Sequence, residues 1–561
     1  MLDLNPGQPD PPFEDELYKV LRVVPWKGPF FTIQEAINAA SPGTRIMIAS
    51  GLYTQNITIS IPGLVLEPQE PEGQVQITCP QGPIITVSLK DSESCTIKGI
   101  KIIHTSTAGK RQESFSSATD ESFYGLSDTQ KGSEHWIRSL KISRNMSCGI
   151  WVDGGVATLE NCRISLASAK SPLTGIVCSN GHLNLDRCLV KGNEEVPTVG
   201  VYVSEANLTC KKSKIFNHRG GGLILYGTPF SSIFISECQI ANNMNCGIFC
   251  SGEESRPTIQ RSVISNNDGS GIRVGLFCCA QIKGNEIKNN EKGIEVDNGD
   301  PFVFLNIIKS NLGEGCIFKG DKELRCDGKL MSNDIFENDK GIVCEGPTCR
   351  TVIVGNGKIS NSKKTGIEVR DNAHCVILKN DIFENGTQGI LLVKGSSAHI
   401  ERNSVHNNLK ANIAFGGCEN SDTTIIENSI FRSKSEGIFN CQGGVSWIKR
   451  NHIYENSDGI LVVDSHPVIT MNSVYDNRRS GIVVAGSSQP DVEDNEVLRN
   501  TAVGICVRDL SAGLILRNYA FGNLVQMAII TKTKMNIKQI KRENYIKGEV
   551  QLPLPVMCSL F

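Results

Sequence analysis

The sequence predicts an all-β solenoid of short parallel strands, about sixteen coils or more, and three observations predict it. A Gly-Ile-x-Val step recurs about every 24 residues across sixteen anchors, from Gly149 through Gly271, Gly293 and Gly366 to Gly504, with Asn412 standing in once. A second series marks another corner: Cys162, Cys188, Ser213, Cys238 and Ser262, then Asn285, Asn306, Asn333, Gly357, Asn380, Asn403, Asn428, Asn451, Asn472, Asn495 and Asn518. Helix-length apolar periodicity is nearly absent. A coil this short cannot bury its apolar face alone, so equally spaced coils must stack.

In chain order, residues 1–19 form a Pro-rich extension. Residues 32–40 place Ile33, Ala36, Ile37 and Ala40 on one helical face. This predicts a short helix that caps the first coil, because an open solenoid end exposes its core and strand edges. The repeat then occupies residues 20–525, read as one elongated domain although length alone suggests three or four. Within a coil, Ile272 and Val274, like Ile294 and Val296, point inward by strand alternation. A second Asn follows the first by five residues in most coils, as in Asn290, Asn311, Asn338, Asn385 and Asn408. Asn and Gly suit corners because both tolerate a left-handed backbone, and stacked Asn side chains can bond from coil to coil. The set Asn285, Asn333, Asn380, Asn403, Asn428, Asn451, Asn472, Asn495 and Asn518 is therefore read as a structural ladder. Residues 105–134, rich in Ser, Thr, Gln and Gly, are read as a flexible insertion. Residues 526–561 are read as a C-terminal cap and tail, basic and then apolar.

The segment Phe31-Thr32-Ile33-Gln34-Glu35-Ala36-Ile37, followed by Pro42-Gly43-Thr44 and Gly51-Leu52-Tyr53, resembles the N-terminal cap of pectate-lyase-like right-handed parallel β-helices. The repeats over about residues 20–525 are similar to those of that superfamily. They look most like its non-enzymatic eukaryotic members, the β-helix F-box proteins and the SHC-binding, spindle-associated family. The resemblance implies a single-stranded right-handed parallel β-helix. It also implies a scaffold with a cytoskeletal, ciliary or spindle-associated role, or a substrate adaptor. No F-box-length helical segment is expected before the cap. Function is not carried by this fold, which hosts many activities.

The 57 basic and 59 acidic residues give a net charge of −2, which argues against a nucleic-acid-binding rod. No basic and apolar leader pattern opens the chain, and no stretch approaches the ~20 apolar residues of a membrane span. The expectation is a cytoplasmic protein. Its 21 cysteines are scattered and read as small buried thiols of a reducing compartment rather than a disulfide framework. Cys246 with Cys250 and Cys344 with Cys349 come closest to metal pairs. Zinc needs four converging ligands, so no metal and no cofactor are expected.

Enzymes of the resembled superfamily act on acidic polysaccharides, and that chemistry needs carboxylates converging in one groove. Here Asp153, Asp297 and Asp464 lie several coils apart, and Glu295 and Glu368 share an outward position three coils apart. Asp464-Ser465-His466-Pro467 reads as a turn. The chain is therefore read as non-catalytic, a protein-interaction scaffold. The alternative is a carbohydrate-binding protein or polysaccharide lyase or hydrolase. A third reading, a metal-delivery β-helix of the periplasmic copper-insertion kind, would need export and clustered soft ligands. The x residues of Gly-Ile-x-Val should face solvent, and the first five, Trp151, Val177, Tyr202, Ile224 and Phe249, are large and apolar. They form the candidate partner ladder, unless the insertion or the tail covers it.

Overall fold

The structure, a computed structural model, describes residues 19–71, 73–105, 147–167, 173–193, 195, 198–321, 323–418, 422–443, 446–532 and 535–551. The insertion expected at 105–134 thus lies, beyond Thr105, outside the described residues. The chain divides into two compact units, Met1–Ile224 and Leu225–Phe561. Each is built of short parallel strands stacked coil on coil.

In the first unit, strand Val20–Val23 pairs with Arg45–Ile48. Helix α1 (Ile33–Asn38) lies against both strands and against Ile57–Ile59. Its start is fixed by a capping box: the Thr32 hydroxyl accepts from the Glu35 amide at 3.2 Å, and the Glu35 carboxylate accepts from the Thr32 amide at 3.1 Å. Ile33, Ala36 and Ile37 are buried beneath it. The helix does cap the first coil as its apolar face requires. The long strand Cys148–Glu160 then pairs with Ile85–Val87 on one side and with Leu173–Asp186 on the other, in the register Ile85, Ile150, Ile176.

In the second unit each coil has three strands, such as Ser270–Val274, Gln281–Lys283 and Glu286–Lys288. Identical positions stack, so the core consists of columns: Ile272, Ile294, Cys316, Ile342 and Ile367 form one, every member fully buried. At the corner between second and third strands, Asn285 Nδ2 donates to Asn306 Oδ1 at 3.0 Å, and the chain of carboxamides continues through Asn333, Asn356, Asn380 and Asn403. Asn428, Asn451, Asn472, Asn495, Asn518 and Asn544 complete it. The rung expected at Gly357 is Asn356, one residue earlier. Each oxygen also accepts the preceding rung's backbone amide, as in Asn285 N to Asn306 Oδ1 at 2.9 Å. Every polar atom of the column therefore has a partner, which burial demands.

A parallel ladder runs at the corner between third and first strands: Asn243, Asn267, Asn290, Asn311 and Asn338, then Asn385 and Asn408. Ser433 is too short to continue it. Asn412, in the place of an anchor Gly, accepts from Asn408 Nδ2 at 2.9 Å and donates to Asn456 Oδ1 at 3.2 Å. Left-handed backbone is not the reason for these Asn residues. The positive φ falls on the residue before each rung, whatever its type: Leu305, Lys379, Arg402 and Glu427 at +53° to +56°. The anchor glycines are likewise steric. A Cβ on Gly271 would meet Asn290 Nδ2 at 2.8 Å and Ile287 Cγ2 at 2.9 Å. The second unit ends with helix α2 (Ile537–Glu543), N-capped by Asn536, and strand Tyr545–Lys547 paired on Tyr519–Phe521.

Candidate functional site

The expected partner ladder is not exposed. Trp151, Val177, Tyr202, Ile224 and Phe249 all lie between 0% and 7% exposed. Exposure in a stack is set by the coils on either side. Val177 is in register with Trp151 on one side and Tyr202 on the other, and two large rings leave a valine between them no solvent. Phe249 stands apart in the second unit, against the Tyr226 ring at 5.9 Å. Asp464 and His466 are indeed turn residues: Asp464 Oδ1 accepts from the Ser487 amide at 2.8 Å, and His466 Nδ1 accepts from the Gln489 amide at 3.0 Å.

Carboxylates do converge with cations across adjacent coils, contrary to the spacing argument. On the outward face of the first strands, Glu295 Oε1 meets Lys319 Nζ at 2.7 Å and Lys292 Nζ at 2.8 Å, while Ser270 donates to its other oxygen at 2.6 Å. Arg273 grips Asp297 through Nε and Nη2 at 2.9 and 2.6 Å. A second group joins Glu368 to Lys340 at 2.8 Å and to Arg370 at 3.1 Å, with Arg370 also on Glu345. Lys292–Glu295 and Glu368–Arg370 are local to one strand, but the other pairs are separated by about one coil in the sequence and the register puts them in contact. Electrostatics then decide their chemistry. Burial opposes the charge on Glu295, yet Arg273, Lys319 and Lys292 outweigh it and hold the carboxyl well below the usual range. Against the cost of burial, Glu295 and Asp297 push Lys319 up. Both move away from neutrality, the reverse of what a general acid or base needs.

Two further surfaces of the second unit escaped the sequence reading. The outward face of the second strands carries Phe302, Phe304, Met331, Val352, Val354, Val376 and Leu378 in consecutive coils, all half-buried, interrupted only by the exposed Lys329 between Phe302 and Val352. Its ends are polar: Lys283 lies 4.8 Å from the Phe304 ring centroid, and at the other end His399 meets Glu401 at 2.8 Å. The signal was present in unbroken apolar triplets, Phe302-Val303-Phe304 and Val352-Ile353-Val354, where a solvated face would alternate. On the third strands, Phe383, His406, Phe431, Tyr454 and Tyr475 stack face to face, with centroids 4.7–5.1 Å apart and planes within 10°. Between neighbours the π faces are spent on each other, so the column shows solvent chiefly its edges.

The cysteines are also not scattered in space. The sulfurs of Cys344, Cys349 and Cys375 lie within 4.8 Å of one another, all buried. Cys326 bridges Cys349 through the backbone. Hydrogen bonds from Cys326, Cys344 and Cys375 hold the Cys349 thiol low, while the same contacts and burial push Cys326 and Cys344 up. The residues come from a first strand, the following loop and a second strand of the next coil, so the 5-residue spacing of Cys344 and Cys349 is legible in the sequence but the 26-residue step to Cys375 is not.

Among the described residues no helix is long and apolar enough to cross a membrane. A family model described as right handed beta helix region matches residues 85–231 and 174–327. One described as periplasmic copper-binding protein (NosD) matches residues 324–422 and 349–552. No curated protein matches the chain. Among solved structures, pectate lyase Pel9A is 12% identical, with a TM-score of 0.30, 64% of this chain and 76% of that one being covered. A PL6 family alginate lyase, AlyGC, is 9% identical over 96% and 99%, with a TM-score of 0.29. Pectin methylesterase PemA from Erwinia chrysanthemi is 13% identical over 46% and 80%, with a TM-score of 0.25. These structural likenesses carry no argument about substrate or reaction, and nothing in them singles out the non-enzymatic eukaryotic members. By its coil register the chain is a parallel β-helix, and its matching family model gives residues 85–327 as the right-handed kind.

Proposed function

We propose that this β-helix is a non-catalytic binding protein and that it engages a protein partner through the second-strand face from Phe302 to Leu378. The observation that carries the proposal is that face itself. It is a run of half-buried apolar side chains in adjacent coils with a polar rim, the composition of a protein interface. The first-strand face supports the non-catalytic half, because Glu295 and Lys319 are locked into ion pairs and titrate away from neutrality. The stacked third-strand rings, whose inner π faces are already occupied, offer a sugar little to stack upon.

The match of residues 324–552 to a family described as periplasmic and copper-binding favours a second reading. In it the chain is exported rather than cytoplasmic, and the cytoskeletal or ciliary setting is dropped. An exported β-helix would then have a carbohydrate or a metal, rather than a cytoskeletal protein, as its ligand.

Affinity capture with the full chain, followed by lysine crosslinking and mass spectrometry, tests the proposal. Crosslinks to a protein partner should centre on Lys283, at one end of the strip, and on Lys329, which stands within it between Phe302 and Val352. Crosslinks confined to other faces, or capture of polysaccharide and no protein, would contradict it and favour the second reading.

A further inference from the structure

The charges at the corner after the third strands are complementary to themselves in reverse order. Six consecutive coils place Glu384, Asn407, Arg432, Glu455, Asp476 and Arg499 there, each with φ between +49° and +56°. The residues just before them, Phe383, His406, Phe431, Tyr454, Tyr475 and Leu498, are in register from coil to coil, so the six corners also form one column. Within it Arg432 Nε meets Glu455 at 2.6 Å and Arg499 Nη2 meets Asp476 at 2.9 Å. Glu384, Arg432, Asp476 and Arg499 are exposed, and the aromatic column beside them is half-buried. The Arg432 and Arg499 guanidinium groups lie 5.7 and 5.8 Å from the Phe431 and Tyr475 ring centroids, which joins the two columns into one surface.

We propose that two copies of this chain pair through this face, with their second units antiparallel. Turned end for end about an axis between the Arg432 and Glu455 coils, the column meets its own complement. Arg432 opposes Glu455 of the second copy, Glu384 opposes Arg499, and Asn407 opposes Asp476. The next corners outward, Asn361 and Gly522, oppose each other without charge. At the axis the two Arg432–Glu455 pairs close into a ring of four alternating charges. A two-fold contact needs a self-complementary surface, and an apolar strip beside a charged rim has the anatomy of an interface. At the first positions of the same strands Ser404 opposes Ser473 and Ser429 opposes His452. The like-charged pairing there, Asp381 with Glu496, falls at the ends, where Asp381 is already bonded to His406 at 3.0 Å. Six coils at about 4.8 Å span roughly 29 Å. That is small for a specific interface, so the dimer belongs to the micromolar range. The contact uses a different face from the Phe302 to Leu378 strip and stands whether or not that strip binds a partner.

The test is analytical ultracentrifugation of the full chain at up to about 100 µM, where weak dimers assemble. The parent should approach twice the mass of one chain. Arg432→Glu and Glu455→Arg should each weaken dimerisation at least tenfold, because each sets like charges face to face. An equimolar mixture of the two variants should recover the dimer, since each then meets the opposite charge across the axis. The repulsion inside each chain persists in the mixture, so recovery reports the contact between copies and not repaired folding. A monomeric parent, single variants that dimerise like the parent, or a mixture that stays monomeric would overturn the proposal. If either variant fails to fold, Asn407→Lys decides the matter. It sets a cation against Asp476 of the second copy and should tighten the dimer roughly threefold or more; an unchanged or weaker dimer would contradict the antiparallel register.

Discussion

Asn428 shows how one residue type builds a coil. Its oxygen accepts the Asn403 amide at 2.8 Å and Asn403 Nδ2 at 3.0 Å, while its own Nδ2 donates to Asn451 Oδ1 and to the carbonyls of Ile400 and Ile426. Asn428→Ala orphans two donors of Asn403 in a dry corner, at a cost of roughly 2–4 kcal/mol. Asn428→Asp should cost more at neutral pH, because a second oxygen would face three acceptors. Denaturant unfolding should show this ranking, with Arg402→Ala, beside the corner but solvated, within about 0.5 kcal/mol of the parent. An Asn428→Ala protein as stable as Arg402→Ala would show that the ladder does not hold the coils. The regular rungs were legible in the sequence because they repeat. Asn412, Asn356 and Asn544 were not, because each is recognised only by what it reaches: Asn412 spans a gap that exists because Ser433 is short.

At the scale of strands, register converts distant charges into a lattice. Glu295 draws Ser270 and Lys319 from the neighbouring coils and Lys292 from its own strand, and its depressed pKa ties stability to pH in one direction. A carboxyl lowered on folding contributes stability that is present above its unfolded pKa of about 4.3 and lost as pH falls through its folded value. The parent should therefore lose stability progressively below about pH 4.3. Glu295→Gln should be less stable by roughly 2–3 kcal/mol at pH 7, since Lys292 and Lys319 can still partly rehydrate. The gap between parent and variant should narrow progressively as pH falls below about 4.3. Melts across that range check it, and a gap that stays constant with pH would mean that ionisation of Glu295 contributes nothing. The same register explains what sequence spacing missed. Trp151 and Tyr202 enclose Val177 because they stack on it. Cys344, Cys349 and Cys375 meet because a loop and two different strands share one corner. Outward apolarity alone therefore does not identify a docking face. Unlike Trp151, Val177 and Tyr202, the Phe302 to Leu378 strip remains half-exposed after stacking.

At the scale of the whole molecule, a near-neutral chain with a net charge of −2 has no long-range field with which to steer a polyanion. In the proposed function, recognition of a partner then falls to surface shape and apolar area. The fold was legible almost entirely from the 24-residue step, because a solenoid repeats its physics in every coil. The proposed binding face was not, because it depends on which outward columns their neighbours leave open. The most direct test of the central claim is a substitution within that strip that leaves the core columns intact. Val354→Asp with Val376→Asp changes two outward positions while Ile353 and Ile377 stay buried beneath them. The account predicts that partner capture falls at least tenfold, a loss of about 1.4 kcal/mol or more, while the melting temperature drops only a few degrees. Undiminished capture by a folded double variant would contradict it.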